Sequence, residues 1–242
     1  MRRPPSLRAT RKPSAGTTVR DDTDDHVDIS DKAGEQSGRL SGSTRVEAFS
    51  DGVLAIAITL LVLNLHAPSQ SAGMLSELTS QWPAYLAYLA SFGYIGVIWV
   101  NHHQLFTRIA AVDLGLVWRN LALLLGVSVL PFPTAVLSSA FRYGGHRNET
   151  IAIVLYALVA AFMALTWLLL FHYLATNERL LAQHTRASFF AAERRRALLG
   201  LVAYLLAAAV VLWQPLASLV ILCVLPAFYG ATSEGWSRPK EV

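Results

Sequence analysis

The stretch that decides the fold is residues 45–66, RVEAFSDGVLAIAITLLVLNLH. Between Gly52 and Leu63 it carries no charge and no proline, and its only polar side chain is Thr59. Arg45, Glu47, Ser50 and Asp51 stand immediately before that run. A helix on a soluble core shows a polar face to water over every two turns. This one does not. An uninterrupted apolar run of about 20 residues, or about 30 Å of helix, is what a bilayer core requires. The acid and hydroxyl at its head are then in or near hydrocarbon, where polar groups are costly and so are paired or face water.

The rest of the chain has the same character. Of 242 residues, 54% are hydrophobic, and the mean hydropathy is +0.42. After the run at about 47–66, others follow near 82–104, 118–138, 150–174, 197–213 and 215–232. Hydrocarbon leaves a backbone no water to bond, so such spans are helical. The expectation is an all-α membrane protein with six transmembrane helices per subunit, filling a domain of residues 45–233. No room is left for a second folded domain.

Local signals refine these spans. Trp82, Tyr85, Tyr88, Tyr94 and Trp99 mark the second, several of them near its ends where interfacial aromatics belong. Pro131 and Pro133 predict a kink or break in the third. Gln214-Pro215 predicts a tight turn before the sixth, and Pro226 a bend within it. Residues 1–44 are dominated by Pro, Ser, Thr, Gly and mixed charge, so a disordered cytoplasmic tail is expected there, with a short second tail at 234–242. Arg2 and Arg3 lead into polar residues rather than an apolar run, so no cleavable signal is expected.

Charge sets the orientation. With the N-terminus inside, 18 of the 20 Lys and Arg fall on the inner side, and only Arg142 and Arg147 lie outside. By the positive-inside rule this predicts a multi-pass protein of the cell membrane with both termini cytoplasmic. The same placement explains the net charge of +4 without nucleic acid as a partner. One cysteine, Cys223, allows no intrachain disulfide.

At about 100° per residue, Gly52, Ile56, Thr59 and Leu63 fall within roughly 60° of one another on the first helix. Such a stripe is what ordinary packing produces. In a symmetric oligomer it would also give stacked rings, apolar ones that gate by dewetting and a hydroxyl one that replaces part of an ion's hydration shell. Asp51 lies about 100° away from the stripe. Its depth suggests a locking network of Arg45, Ser50, Asp51, one of His102 and His103, and Asn120. The same acid and histidines would serve a proton-coupled secondary transporter, since histidine titrates near neutral pH. Adjacent helical residues diverge by about 100°, so His102 and His103 do not converge on one metal. No nucleophile motif, phosphate loop or paired catalytic carboxylates appear, so neither an enzyme nor a cofactor is expected.

Three segments carry a resemblance: RVEAFSDGVLAIAITLLVLNL from Arg45, WVNHHQLF from Trp99, and RNLALLLGVSVLPFPTAVL from Arg119. Together they resemble the endolysosomal transmembrane potassium channels and their bacterial homologues, with the R-x-x-x-F-S-D signature at the head of the first helix. The resemblance is strong from Arg45 to Leu137; the later spans match in number and order. This chain has one six-helix repeat where eukaryotic members have two. The resemblance therefore implies a potassium-preferring cation channel, a homotetramer in the lipid bilayer with the first helix lining the pore. It also implies Ile56 as the hydrophobic constriction, Thr59 as the hydroxyl layer and Leu63 as a further apolar ring. Arg45, Phe49, Ser50, Asp51, His102, His103 and Asn120 would be the scaffold at the cytoplasmic end of that helix.

Overall fold

The computed structural model describes residues 22–68, 73–182, 185 and 187–232. The chain divides into two compact units, residues 1–38 and 39–242. In the first, the described residues are helical from Asp22 onward. Of the stretch expected to be a tail, residues 22–44 are described and are helical; residues 1–21 and the tail at 234–242 lie outside the described residues. No proline occurs between Pro13 and Pro68. Extending an existing helix costs far less than nucleating one, and here nothing blocks extension.

The second unit is built of helices, and no β-strand occurs among the described residues. The helices of the chain are α1 (Asp22–Leu61), of which residues 39–61 fall in this unit, α2 (Met74–Ser80), α3 (Trp82–Phe106), α4 (Leu114–Val129), α5 (Pro131–Tyr143), α6 (His146–Thr176), α7 (Ala187–Val210) and α8 (Pro215–Thr232). Among the described residues, four segments are long and apolar enough to cross a bilayer: 42–64, 82–106, 114–142 and 146–176. The expected fifth and sixth spans are helices, but shorter as apolar segments. α7 begins ten residues earlier than expected and includes Arg194, Arg195 and Arg196, leaving only residues 197–210 uncharged. That charged turn stays helical partly because Arg196 finds partners within the bundle, on Glu193 and at the end of α8.

Other boundaries have local causes. α1 stops at Leu61 instead of running to residue 66, and Val62–Asn64 tighten into a 3-10 turn. Asn64 there donates to the Pro131 carbonyl at 3.3 Å, and Leu65 is extended. Gln81 closes the following loop: its amide nitrogen donates to the His66 carbonyl at 2.9 Å, and its oxygen accepts from the His66 N–H at 3.2 Å. The third span changes helix at Leu130, ahead of Pro131, because neither Pro131 nor Pro133 has an N–H to continue the ladder.

α6 is the spine. Ala152, Ala157, Ala160, Ala161 and Ala164 are buried along it, and it packs against α4, α5, α7 and α8. Small residues let helix backbones approach closely in a membrane, where packing rather than hydrophobicity drives association. Glycines do the same at two joints. A Cβ on Gly200 would collide with the Tyr229 ring, whose hydroxyl donates to the Arg196 carbonyl at 2.8 Å. A Cβ on Gly115 would collide with the Tyr173 hydroxyl.

That second joint sits where α4 begins. Asp113 caps α4 by accepting from the Leu116 N–H at 2.9 Å. Its other oxygen accepts from Tyr173 at 2.8 Å and from Arg179 at 3.1 Å. Partial burial alone would raise the carboxyl's pKa, but these donors outweigh it and hold Asp113 below the usual carboxylate value.

Candidate pore helix and its anchor

α1 offers one face to the bundle and another outward. Ser50, Leu54, Ala57 and Leu61 are buried, a spacing of three and four residues that keeps them in one stripe. The opposite side carries Phe49, Gly52, Ile56, Thr59, Leu60 and Leu63, all exposed in the single subunit. Ile56 is 61% exposed and Leu63 71%. Leu63 reaches this face from the 3-10 turn rather than from α1 itself. Only 22% of the first span's apolar window is buried, against 50% in the third and fourth. The subunit's own packing thus leaves most of this helix free for other contacts.

Thr59 is specific in its geometry. Its hydroxyl donates to the Ile56 carbonyl at 2.8 Å. With the proton used inside the helix, the oxygen's remaining lone pairs are what it presents outward. Such an oxygen accepts; it suits a cation.

Behind this face runs a buried hydrogen-bonded chain. Ser50 donates to the Val46 carbonyl at 2.8 Å, so its oxygen is left to accept. Asn120 Nδ2 donates to it at 2.8 Å. Asn120 Oδ1 then faces His102 Nε2 at 2.9 Å, and the imidazole must carry its proton on that nitrogen. The His102 ring stacks on Phe106 with centroids 4.4 Å apart. Its Nδ1 is buried and has no partner among the described residues. Ser50, His102 and Asn120 thereby tie α1, α3 and α4 together.

The two histidines have separate duties. His103 points outward, where Nδ1 meets Glu47 Oε1 at 3.0 Å. Asp51 does not bond a histidine here: Oδ1 accepts from the indole N–H of Trp99 at 3.0 Å. Trp99 in turn stacks on His103, centroids 6.2 Å apart. Arg45 and Phe49 are exposed and line a groove beside Val117 and Asn120 rather than joining the buried chain. From sequence, Trp99 reads only as an interfacial aromatic and Glu47 only as part of a polar cluster.

A register signal could have found both. Glu47 and Asp51 are one turn apart on α1, and Trp99 and His103 are one turn apart on α3. In an antiparallel pair, the residue below on one helix meets the residue above in number on the other. Both contacts obey this. Among the described residues no group of three His, Cys, Asp or Glu side chains converges as a metal site needs.

Comparisons with known proteins bear on the family and the fold. The family model described as endosomal/lysosomal potassium channel TMEM175 matches residues 45–131. A potassium channel of Streptomyces collinus is 42% identical over 167 residues, covering 68% of this chain and 80% of that protein. A potassium channel of Chamaesiphon minutus is 44% identical over 147 residues, covering 59% of this chain and 71% of that protein. The fold is similar to the crystal structure of a lysosomal potassium-selective channel TMEM175 homolog from Chamaesiphon minutus. That match has a TM-score of 0.70 and 34% identity, covering 79% of this chain and 97% of the other.

Proposed function

The chain belongs to the TMEM175 family, a family of ion channels and not of enzymes, and on that premise we propose that it is a passive, potassium-preferring cation channel of the cell membrane. Four copies surround an axis, and α1 of each lines the pore. Ile56 forms the narrow apolar constriction, Thr59 an acceptor layer beyond it, and Leu63 a further apolar ring. The observation that carries this reading is the exposed Gly52–Ile56–Thr59–Leu63 face on a helix anchored from behind through Ser50.

The physics is consistent with modest selectivity. No side chain on the face is charged, so permeation depends on how wide the Ile56 ring opens and on oxygens that replace lost hydration. Thr59 hydroxyls have already committed their protons to Ile56 carbonyls and turn lone pairs toward the axis. The proposed topology has six spans with both termini inside, the orientation that the charge distribution favours. In that arrangement α7 and α8 cross as a hairpin, and the Arg194–Arg196 turn stays at the inner surface. Arg45, Phe49 and Asp51 complete the inner end of the pore helix, Asp51 through Trp99. A proton-coupled transporter would need Asp51, His102 and His103 to act as a relay. Their hydrogen bonds go instead to Trp99, Asn120 and Glu47 respectively.

The test is potassium flux from liposomes holding the purified protein, with Ile56→Asn beside wild type. Potassium flux should exceed sodium flux and rise in the variant. A flux that requires a proton gradient, or none from well-folded tetramers of either protein, would remove the channel assignment.

A further inference from the structure

Apart from the α1 face, the fold encloses a second polar site. α3, α6, α7 and α8 leave a cavity of about 50 Å³ between them, with Tyr94, Asn101, Arg196, Tyr204, Trp167 and Phe171 in its wall. Two polar atoms of that wall are buried without a protein hydrogen bond of good geometry: the Tyr204 hydroxyl, whose polar neighbour is Tyr94, and Arg196 Nε. The rest of the Arg196 guanidinium is accounted for. Nη1 meets Glu193, and Nη2 donates to the Tyr229 carbonyl at 3.2 Å and to Thr232 Oγ1 at 3.0 Å.

Buried polar atoms with no protein partner are usually satisfied by ordered water. A water needs roughly 10–15 Å³ of such space, so the cavity has room for several. Glu193 already balances the charge of Arg196, so the site has no net charge with which to recruit an ion. The complementary occupant is small, uncharged, and both donor and acceptor. We propose that this cavity is an internal hydration site. Its water accepts from Arg196 Nε and bonds the Tyr204 hydroxyl, both on α7, with Tyr94 and Asn101 of α3 across the cavity.

A neighbouring cavity supplies the contrast. It measures about 60 Å³ and is lined by Tyr156 among Trp82, Leu86, Leu137, Phe141 and Leu222. There the Tyr156 hydroxyl already has a partner in Ser91 at 3.1 Å. Among the described residues this second cavity has no orphaned buried polar atom to hold water, so on the same reasoning it should stay dry.

The test is X-ray hydroxyl-radical footprinting of the full chain in nanodiscs, read residue by residue by mass spectrometry. Radicals form from water in place, so a buried side chain touching internal water is oxidised. Tyr204, Tyr94 and Tyr156 are almost equally buried, at 1%, 5% and 4% exposure. Tyr204 and Tyr94 should be oxidised about tenfold faster than Tyr156, because only they adjoin water. Tyr204 reacting as slowly as Tyr156 would overturn the proposal. Tyr204→Phe provides a second reading on a different axis. It should slow Tyr94 oxidation and lower the melting temperature by several degrees. A variant that melts above wild type, as expected when an unsatisfied buried hydroxyl is deleted, would also overturn it.

Discussion

Ser50, Asn120 and His102 form a chain in which each proton has one destination, and the cost of breaking it follows from what is orphaned. Asn120→Leu keeps the volume but strands His102 Nε2–H in the bundle interior. A buried donor without an acceptor costs about 1–3 kcal/mol. The variant should therefore melt clearly below wild type by tryptophan fluorescence or differential scanning calorimetry. Ser50→Ala should do the same by stranding Asn120 Nδ2. Thr59 is a different kind of residue, exposed in the subunit and bonded only within its own helix, so its loss should leave stability almost unchanged. Its effect belongs to permeation. Thr59→Val keeps the shape and deletes the acceptor, and should lower the potassium-to-sodium permeability ratio several-fold while Thr59→Ser preserves it. Reversal potentials under bi-ionic conditions decide this, and an unchanged ratio in Thr59→Val takes Thr59 out of the selectivity mechanism.

At the scale of elements, hydropathy located the apolar parts of the helices because a run of apolar residues in hydrocarbon has only one way to satisfy its backbone, but it gave no sign of α2 or of the polar start of α1. The ends were less legible. α1 stops at Leu61 because Asn64 reaches the Pro131 carbonyl, a partner 67 residues away. α7 begins early because the Arg196 turn is supported by Tyr229 and Thr232 on α8. Neither partner can be read from local sequence. The anchor behind α1 shows the same limit. Depth alone grouped Asp51 with the histidines, yet rotation about α3 sends His102 inward to Asn120 and His103 outward to Glu47, leaving Trp99 for Asp51. Asp113 could be missed for a similar reason, since Tyr173 and Arg179 come from the far end of α6 and beyond. Its contribution has a sign. The folded carboxyl has a pKa below its unfolded value, so the unfolded state binds more protons as pH falls. The stabilisation is complete above about pH 4 and is lost as acidity passes the depressed folded value. Asp113→Asn retains a capping oxygen but no charge. Its melting temperature should fall less steeply than that of wild type between pH 5 and about pH 3, and parallel acid limbs would show that Asp113 carries no linked stability.

For the whole molecule the question is what covers the outward face of α1, since a lipid-facing helix and a pore-lining one look alike in a single subunit. Exposure cannot separate them: Leu63 is 71% exposed in the 3-10 turn that continues α1, and Leu199 is 62% exposed on α7. Proximity to a symmetry axis can. Around a closed axis identical positions on neighbouring copies approach one another, whereas positions facing lipid lie at the perimeter and stay far apart. Cysteines cross-link only when their Cα atoms come within about 7 Å. The chain has one cysteine, Cys223, so a Cys223→Ser background is free of competing thiols. On it, Leu63→Cys should form a disulfide-linked dimer under mild oxidation in the membrane, visible on a non-reducing gel. Ile56→Cys should do so as well if its ring is the narrower one, and more completely. Leu199→Cys should remain monomeric under the same conditions. Cross-linking at residue 199 with none at 56 or 63 would place α7 rather than α1 at the axis, and the pore would have to be sought on another helix.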